Sequence, residues 1–379
     1  MSTAMNEYRV CTRCIMDTSD PKIEFDDRGE CNHCRAYDAK MAGAGGGRKK
    51  ELDALVSRIK QDGQGKKYDC IIGLSGGVDS TYTAYLVKSL GLRPLAVHLD
   101  NGWDEELAAG NIKNTVSRLG IDLKTHVIDW QEFRDLQLAY LKASVIDIEA
   151  ISDHAITASL YRAAARRGIK YIMGGANIAT EGIMPRSWLY NKNDLVNIRA
   201  INRRFGHTGL RSYPTLGILR ILFYRYVKGI AYVPVLDYVD YDKKVAQSVL
   251  ARELDWRDYG GKHYESVFTR FYQAHILPVK FGADKRRAHL STLVCYGLMT
   301  RGEALAEVSR PAYFAAQLRS EKSYVAGKLG LTETEFEALM ARPIRSHLDY
   351  PNDARFLRFI SGAYRMFKRR DKSKAFVSN

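Results

Sequence analysis

Short apolar runs alternate with amphipathic segments through the first half of the chain. The apolar runs predict four strands, at residues 70–72, 94–99, 123–128 and 169–173. Apolar residues at helical spacing predict helices at residues 51–61, 81–90, 105–119 and 131–143. A fifth helix is predicted to run from Asp153, as its N-cap, to Arg167. This alternation predicts an α/β fold with a doubly wound parallel sheet, in which ligands bind at the carboxyl ends of the strands.

The chain changes character beyond the last predicted strand. From Arg186 it is rich in arginine and aromatic residues, which fits either a nucleic-acid face or helices with snorkelling arginines, and we favour the second. A helix is predicted at Lys243–Leu254, and Thr332 and Glu335 have the spacing of a capping box. Residues 355–370 alternate apolar and basic side chains, typical of a membrane-surface helix or, as we favour, a solvated amphipathic helix. The sequence therefore predicts a mainly helical C-terminal region.

Four of the six cysteines form two pairs near the N-terminus. Cys11 and Cys14 enclose two residues, Cys31 and Cys34 enclose two more, and sixteen residues separate the pairs. Two such turns can place four thiolates around one Zn²⁺, and a closed four-cysteine site is structural. An iron–sulfur cluster or a redox dithiol pair is the alternative. The spacing favours structural zinc.

The net charge is strongly positive, with 58 Lys and Arg against 43 Asp and Glu, or +15. It indicates an anionic ligand, which could be nucleic acid or small polyanions such as ATP and a nucleotide-linked sugar. Neither a secretory signal nor a transmembrane span is predicted, since the best candidate, residues 217–235, carries Arg220, Arg225 and Lys228. We therefore expect reduced cysteines and a cytoplasmic location.

Residues 75–80, Ser-Gly-Gly-Val-Asp-Ser, lie between the first predicted strand and the following helix. Small residues let backbone N–H groups close around an anion, and a helix N-terminus favours negative charge. An ordinary strand–helix turn is the alternative, because Ser-Gly-Gly is common in loops. No Gly-Lys-Ser/Thr ends the motif, so it is not a Walker loop. The motif in this context predicts a phosphate site.

This motif resembles the PP-loop of the ATP pyrophosphatases, which bind ATP and release pyrophosphate while adenylating a substrate. The resemblance implies that the pyrophosphate of ATP lies against Ser75, Gly76, Gly77 and Ser80. It implies further nucleotide contacts at the ends of the second and fourth strands, from His98, Asp100, Gly174, Gly175 and Asn177. Asp79 and Glu181 are the residues that match the magnesium ligands of the family.

Two later stretches, residues 263–266 (His-Tyr-Glu-Ser) and 284–289 (Asp-Lys-Arg-Arg-Ala-His), extend the resemblance. Together with the cysteine pairs and the PP-loop, they resemble the N-acetyl sugar amidotransferases of bacterial surface-polysaccharide biosynthesis. Such enzymes use ATP to adenylate an acetamido group of a nucleotide-activated sugar and replace its oxygen with ammonia, as in O-antigen biosynthesis. Besides Asp79, the catalytic candidates are the cations Lys280, Lys285 and Arg286, with Glu265 or His263 assisting ammonia addition.

The ammonia source is not evident in this chain. Cys295 lacks the preceding glycine of a glutaminase nucleophile elbow and lies in a predicted helix. The resemblance implies a separate glutaminase subunit, paired with a cyclase like that of histidine biosynthesis. The alternative function is a PP-loop enzyme that adenylates a tRNA base. Sulfur-transferring versions need a reactive cysteine near the loop, but Cys70 lies inside a strand, so nucleic acid is not the expected partner.

Three regions are predicted from these features. Residues 1–45 form a four-cysteine zinc module, and the glycine-rich residues 42–47 predict a linker. Residues 46–235 form the PP-loop ATP-binding domain, and residues 236–379 form a mainly helical region for substrate and partner. The expected small ligands are ATP, Mg²⁺ and Zn²⁺.

Overall fold

The computed structural model describes residues 7–42, 48–260 and 264–358. His263, residues 43–47 of the predicted linker and most of the 355–370 segment lie outside these residues. The strands are β1 Cys70–Gly73, β2 Pro94–Asp100, β3 Asp122–Val127, β4 Tyr171–Gly174 and β5 Ala231–Pro234. The first eight helices are α1 Asn32–Ala42, α2 Arg48–Asp62, α3 Val78–Ser89, α4 Glu106–Leu119, α5 Trp130–Ala143, α6 Ala150–Arg167, α7 Ile178–Glu181 and α8 Leu195–Phe205. The others are α9 Ile218–Leu222, α10 Lys243–Leu254, α11 Val267–Phe271, α12 Leu277–Phe281, α13 Lys285–Tyr296, α14 Arg301–Ser309, α15 Ala315–Leu329 and α16 Glu333–Met340.

All five strands belong to one parallel sheet with the order β3-β2-β1-β4-β5. The chain winds outward from β1 in one direction, then returns to place β4 on its other side. This reversal leaves a crevice at the carboxyl ends of β1 and β4, where doubly wound sheets bind ligands. The predicted α/β fold is confirmed, and the loop at residues 75–80 opens on this crevice.

Helices cover both faces of the sheet, which explains the continuous apolar runs in its central strands. On one face α6 packs Leu160 and Ala164 against Ile71 and Ile172. On the other face, the buried side chains of α2, α3 and α10 join Ile72 in a second cluster. Both faces of β1 are therefore buried, which fixes the position of the loop that follows it.

The N-terminal cysteine turns pack against the C-terminal helices. Arg301 donates from Nε to the carbonyl oxygens of Cys11 and Cys14 at 3.1 and 3.0 Å. Ser291 on α13 accepts a hydrogen bond of 3.1 Å from the backbone N–H of Ile15. The four cysteines share one buried cluster with aromatic residues of the C-terminal helices. The cysteine turns are therefore part of the main body and not a detached module.

The structure corrects the predicted start of α6. This helix begins at Ala150, and Asp153 lies in its first turn, where it forms an ion pair with Lys192 instead of capping the helix. The sequence reading also missed β5, a short edge strand that pairs with β4. The predicted helix Lys243–Leu254 and the capping box between Thr332 and Glu335 are confirmed.

The C-terminal region is helical over its described residues, as predicted. Two helices in the second half of the chain widen into π-helical turns, at Phe223–Val227 after α9 and at Tyr272–Ile276 between α11 and α12. Among the helices that the structure describes, none combines the length and apolarity that a bilayer crossing requires.

Candidate active site

The loop between β1 and α3 is shaped by close contacts that only glycine permits. Gly76 has a positive φ of 81°, and a Cβ atom there would lie 2.3 Å from the carbonyl oxygen of Ala108. Gly175, after β4, faces the same helix start, because its Cβ would lie 2.9 Å from the carbonyl oxygen of Asp79. Two glycines therefore let α4 and the exit of β4 approach the loop closely.

The backbone N–H groups of this loop donate to hydroxyl oxygens. The N–H of Ser75 donates to Oγ of Ser80 at 3.2 Å, and the N–H of Gly77 donates to Oγ of Ser75 at 3.3 Å. The N–H of Val78 donates to the phenol oxygen of Tyr259 at 3.3 Å. Three N–H donors at or just before the helix N-terminus are thus paired with hydroxyl oxygens, positions that phosphate oxygens would take over as acceptors.

A cavity of about 180 Å³ opens on this loop. Its lining brings three carboxylates together with one cation: Asp79, Glu181, Glu265 and Lys243. Asp79 lies in the first turn of α3 and accepts a hydrogen bond from the buried hydroxyl of Tyr241. Burial raises the pKa of Tyr241, and the Asp79 carboxylate raises it further, so the phenol stays a proton donor.

Glu181 is the last residue of the short helix α7. Asn177 caps this helix by accepting a hydrogen bond of 2.8 Å from the N–H of Thr180, and Asp237 accepts one of 2.7 Å from the N–H of Ile178. Two polar side chains thereby fix the start of α7. The fixed helix holds the Glu181 carboxylate at the carboxyl end of β4.

A larger cavity of about 570 Å³ shares Ser75, Ser80, Glu181 and Glu265 with the first. His98 lines it from the end of β2 and is held by Leu74 and Asp104, with Nδ1 2.9 Å from the Leu74 carbonyl oxygen and Nε2 2.8 Å from an Asp104 oxygen. Burial lowers the pKa of His98, but the Asp104 carboxylate and the Leu74 carbonyl outweigh it, so the pKa is raised. Both ring nitrogens of His98 are therefore held by protein groups, which fixes the orientation of the imidazole at the carboxyl end of β2.

A third cavity, of about 270 Å³, adjoins the larger one and shares Gln273, Lys285 and His289 with it. Lys285 is buried at the start of α13, with Nζ 5.4 Å from the ring centre of Tyr272. Arg286 lines only the third cavity and forms an ion pair of 2.7 Å with Asp284. The three cavities are contiguous from the loop at residues 75–80 to the face of α13.

Some predicted site residues do not line these cavities. Among the residues that the structure describes, the cavity linings exclude Gly76, Asp100, Asn177 and Lys280. Asp100 accepts from the N–H of Gly102 at 2.8 Å, and Asn177 caps α7. Nζ of Lys280 donates to the carbonyl oxygens of Leu339, Met340 and Arg342 at the end of α16. This position of Lys280 corresponds to helix capping, because its ammonium group binds carbonyl oxygens at the C-terminal end of α16.

Other cavity residues were missed by the sequence reading. Lys243 is the first residue of α10, and Tyr259 follows that helix; neither belongs to a recognisable motif. Glu149 precedes α6 and lines the larger cavity, where Gln273 donates a hydrogen bond of 3.2 Å to it. Burial raises the pKa of Glu149, and the nearby Lys285 opposes that rise only in part. Among these residues only Lys243 has a signal in the sequence, because its neighbour Asp242 is a typical N-cap residue for a helix that starts there.

The four N-terminal cysteines form a metal-sized cluster. Their sulfur atoms are buried and lie within 4.8 Å of one another. The Sγ pairs Cys11–Cys34, Cys14–Cys31 and Cys31–Cys34 are 3.8, 3.7 and 3.7 Å apart. Tetrahedral Zn²⁺ with bonds of about 2.3 Å requires sulfur separations of about 3.8 Å. The cluster therefore fits zinc closely, and within the described residues it is the sole group of three or more convergent metal-ligand side chains.

The two remaining cysteines have no nucleophile geometry. Cys295 lies in the last turn of α13, with Sγ 3.8 Å from Sγ of Cys34. Cys70 is fully buried in β1, and burial raises the pKa of its thiol. A thiolate is disfavoured at either position. The cysteine of a glutaminase or of a sulfur carrier must instead form a thiolate readily.

Residues 265–364 match the sequence model of a family described as "LPS biosynthesis protein WbpG-like, C-terminal domain". This match confirms the predicted resemblance to proteins of bacterial surface-polysaccharide biosynthesis. The WbpG-like region begins at Glu265 and includes α13, so it supplies most of the wall of the third cavity. No curated protein matches the sequence.

Two solved structures are similar to part of this chain. The NH3-dependent NAD synthetase from Campylobacter jejuni, in complex with the nitrate ion, is 15% identical and covers 55% of this chain and 94% of its own, with a TM-score of 0.30. The NMN synthetase from Francisella tularensis is 15% identical and covers 60% of this chain and 93% of its own, with a TM-score of 0.30. The assignment of the fold rests on the strand order and not on these two likenesses.

Proposed function

We propose that the chain is an ATP-dependent amidotransferase of surface-glycan biosynthesis, which converts an acetamido group of a nucleotide-activated sugar into an acetamidino group. One observation carries this proposal. The loop of three N–H donors at the start of α3 opens into a cavity that continues to the WbpG-like region. ATP would lie against the loop, and the acceptor sugar would lie toward α13.

The residues at the loop fit a magnesium ion held with the triphosphate. Asp79 and Glu181 offer hard oxygen ligands in the cavity that the loop lines. Mg²⁺ in such sites takes one or two carboxylates, and phosphates and waters complete its octahedron. When bound, it would neutralise charge on the phosphate oxygens. Lys243 would add a fixed positive charge beside the leaving pyrophosphate, so it replaces Lys280 among our cationic candidates.

The acceptor would occupy the cavity between Glu265 and α13. There Lys285 and His289 provide polar groups, and Tyr264 provides an aromatic surface for a sugar ring or base. An amide carbon is a poor electrophile because of resonance. Attack of the acetamido oxygen on the α-phosphorus expels pyrophosphate and leaves an O-adenylyl imidate whose nitrogen keeps its proton and carries the positive charge. Ammonia then adds to its carbon, the nitrogen loses a proton, and AMP leaves with the former amide oxygen.

A carboxylate must accept the proton that the incoming nitrogen loses. Glu265 was predicted for this task and lines both the loop cavity and the larger cavity. Glu149 is a second candidate, because burial raises its pKa toward the range of a general base. The ammonia would come from a separate glutaminase subunit with a cyclase-like partner, because neither Cys295 nor Cys70 has the geometry of a glutaminase nucleophile.

The test is release of pyrophosphate from ATP with a panel of nucleotide-linked acetamido sugars and ammonium salt. Lys243→Met should lower kcat/KM for ATP by about a hundredfold, because the charge it supplies grows in importance as pyrophosphate leaves. Lys244→Met is the matched control, since this neighbouring lysine is exposed and lies outside the cavity. The proposal fails if no acceptor sugar supports pyrophosphate release, or if both lysine variants behave alike.

A further inference from the structure

A basic and apolar surface lies on α8 and on the helical segment 218–228, apart from the cavities described above. We refer to it as the α8–α9 surface. Its basic residues are Arg199, Arg203, Arg204, Arg220, Arg225 and Lys228. Its apolar residues are Leu219, Phe223, Tyr226 and Val227. The proposed reaction uses none of these side chains.

Several apolar side chains of this surface are largely exposed and lie close together along the chain. Leu219 is 67% exposed, Tyr226 is 67% exposed and Val227 is 70% exposed. With Phe223, which is 44% exposed, they lie on the solvent-facing side of α9 and of the π-helical turn that follows it. The opposite side is anchored, because Tyr224 stacks on Tyr161 of α6 with ring centres 6.3 Å apart. The segment thus presents a fixed apolar ridge to its surroundings.

A groove of about 770 Å³ runs beside this ridge. Arg199, Arg203 and Arg204 line it from α8, and Arg220 lines it from α9. Within the described part of the chain, no carboxylate forms an ion pair with any of these four arginines. Exposed guanidinium groups bind phosphate well because they offer planar paired donors. The groove is therefore suited to phosphodiester groups.

We infer that the α8–α9 surface docks the protein on an anionic phospholipid bilayer. Arginines in the groove would bind headgroup phosphates while the ridge side chains enter the headgroup–acyl boundary. Basic and apolar residues intermingle along one short segment, as in helices that lie in a membrane interface. A protein partner favours a different layout, with an apolar centre that is depleted of charge and a polar rim.

Charge disfavours two other binding partners for this surface, a second copy of the chain and the chain's own C-terminal segment. A second copy would place six basic residues against six others across a twofold interface, which is repulsive. The C-terminal residues 359–379 carry six Lys or Arg and one Asp, so this segment would also be repelled by the arginine groove. An anionic bilayer has the opposite sign and attracts each basic residue near it.

The test is co-sedimentation of the full chain with vesicles. Phosphatidylcholine vesicles rich in phosphatidylglycerol should bind the protein, and pure phosphatidylcholine vesicles should not. Each basic residue near an anionic bilayer strengthens partition roughly fivefold, so Arg199→Gln with Arg203→Gln should weaken it about thirtyfold. The matched control is Lys49→Gln with Lys50→Gln, an equal charge change on the exposed side of α2.

A second pair of variants tests the apolar ridge. Leu219→Ser with Tyr226→Ser should weaken vesicle binding even at low salt, because it removes apolar contact without altering charge. Val279→Ser with Leu348→Ser is the control, since these side chains are 65% and 63% exposed on other parts of the surface. Melting temperatures of all variants should match, since every substituted residue is exposed.

Three results would overturn the inference. The first is that the protein binds both vesicle types equally, or that it binds neither. The second is unchanged binding by the arginine and ridge variants, which would place any membrane contact elsewhere. The third is a concentration-dependent dimer that the Arg199→Gln, Arg203→Gln variant dissociates, because it would make this surface an interface between two copies. Pyrophosphate release is not a readout here, so the outcome is independent of the proposed reaction.

Discussion

The indole Nε1 of Trp256 donates a hydrogen bond of 2.9 Å to the carbonyl oxygen of Gly76. Trp256 is buried and follows α10, while Gly76 belongs to the loop at residues 75–80 between β1 and α3. Asn111 of α4 supports the same carbonyl at 3.4 Å. The C-terminal half of the chain therefore holds the loop in shape before any ligand binds, and preorganisation of this kind lowers the entropy cost of binding.

Substitution of Trp256 by Phe should weaken both stability and ATP binding. The change removes the donor to Gly76 and should lower the free energy of unfolding by about 1–3 kcal/mol. The matched control is Trp188→Phe, because the buried Nε1 of Trp188 has no acceptor among the described residues. Urea unfolding and the KM for ATP measure the two effects. A KM that rises equally in both variants would contradict the role given to the Trp256 bond.

Asp79→Ala should abolish pyrophosphate release and leave circular dichroism unchanged. The carboxylate is proposed to hold Mg²⁺ with Glu181, and no other side chain in the first turn of α3 can replace it. Tyr241→Phe is the informative control, because it keeps the carboxylate and removes only its buried hydrogen-bond donor. Tyr241→Phe should retain most activity with a higher magnesium requirement. Normal turnover by Asp79→Ala would show that the metal lies elsewhere.

Cys14→Ser should reduce zinc content and thermal stability together. All four sulfur atoms are buried and spaced for one tetrahedral ion, so loss of one ligand opens the site. Cys295→Ser is the control, because its sulfur is near the cluster but outside the group of four. Elemental analysis should find about one zinc per chain in the control. Iron–sulfur absorbance in the native protein would refute the assignment.

Two buried histidines are held in the neutral state by their neighbours. Nε2 of His154 accepts from the N–H of Leu216 at 3.0 Å, and its Nδ1 lies 2.8 Å from the carbonyl oxygen of Lys192. Nε2 of His347 accepts from the N–H of Asp147 at 3.3 Å. Burial lowers the pKa of His154 to about 4 and that of His347 to about 3. A proton added at either Nε2 would face an N–H group.

Stability should therefore fall on acidification below the ordinary histidine pKa of about 6.5. The unfolded chain binds protons at His154 and His347 below that pH, while the folded chain binds them only near pH 4 and 3. The contribution of these two histidines to the free energy of unfolding is thus fully present above pH 6.5, and it decreases as the pH falls from there. Urea denaturation at a series of pH values measures the slope. NMR signals of charged imidazoles at both positions at pH 5.5 would contradict this account.

The isolated chain should use ammonium salt and fail with glutamine. Free ammonia is the nucleophile and is scarce at neutral pH, so AMP formation should increase as pH rises. The product should be one mass unit lighter than the acetamido sugar, because NH replaces O. Addition of the cognate glutaminase complex should make glutamine effective near neutral pH. Glutamine-dependent turnover by this polypeptide alone would disprove the prediction, and Cys295 would then be the first residue to replace.

The parts of the fold with local signals were predictable from the sequence. The loop at residues 75–80, α10 and the capping box of α16 each depend on residues within one or two turns of one another. Asp153 shows the limit of such signals, because a distant lysine, Lys192, pairs with its side chain and the helix begins one turn earlier. The edge strand β5 was missed because, unlike the equally short β1 and β4, it buries only one of its four residues and ends in Pro234.

The candidate site was predictable only where it follows the strands. Ser75, His98 and Gly175 are at strand ends, so the sheet brings them together regardless of the rest of the chain. Lys243 and Tyr259 reach the same cavity from α10 and the segment after it, and that placement depends on packing over long sequence distances. Lys280 shows the opposite case. It was predicted as a catalytic cation, but its side chain binds the C-terminal end of α16.

Helix α13 contacts a different part of the protein on each of its sides. Ser291 meets the cysteine turns through Ile15, Thr292 accepts a hydrogen bond of 3.0 Å from the N–H of Ile183 beyond α7, and Lys285 faces the larger cavity. Chains made in zinc-poor medium would thus contain an intact loop at residues 75–80, but their helix α13 would be poorly packed. The metal supply during synthesis would then determine what fraction of the chains can work, while each correctly assembled molecule would turn over at its usual rate.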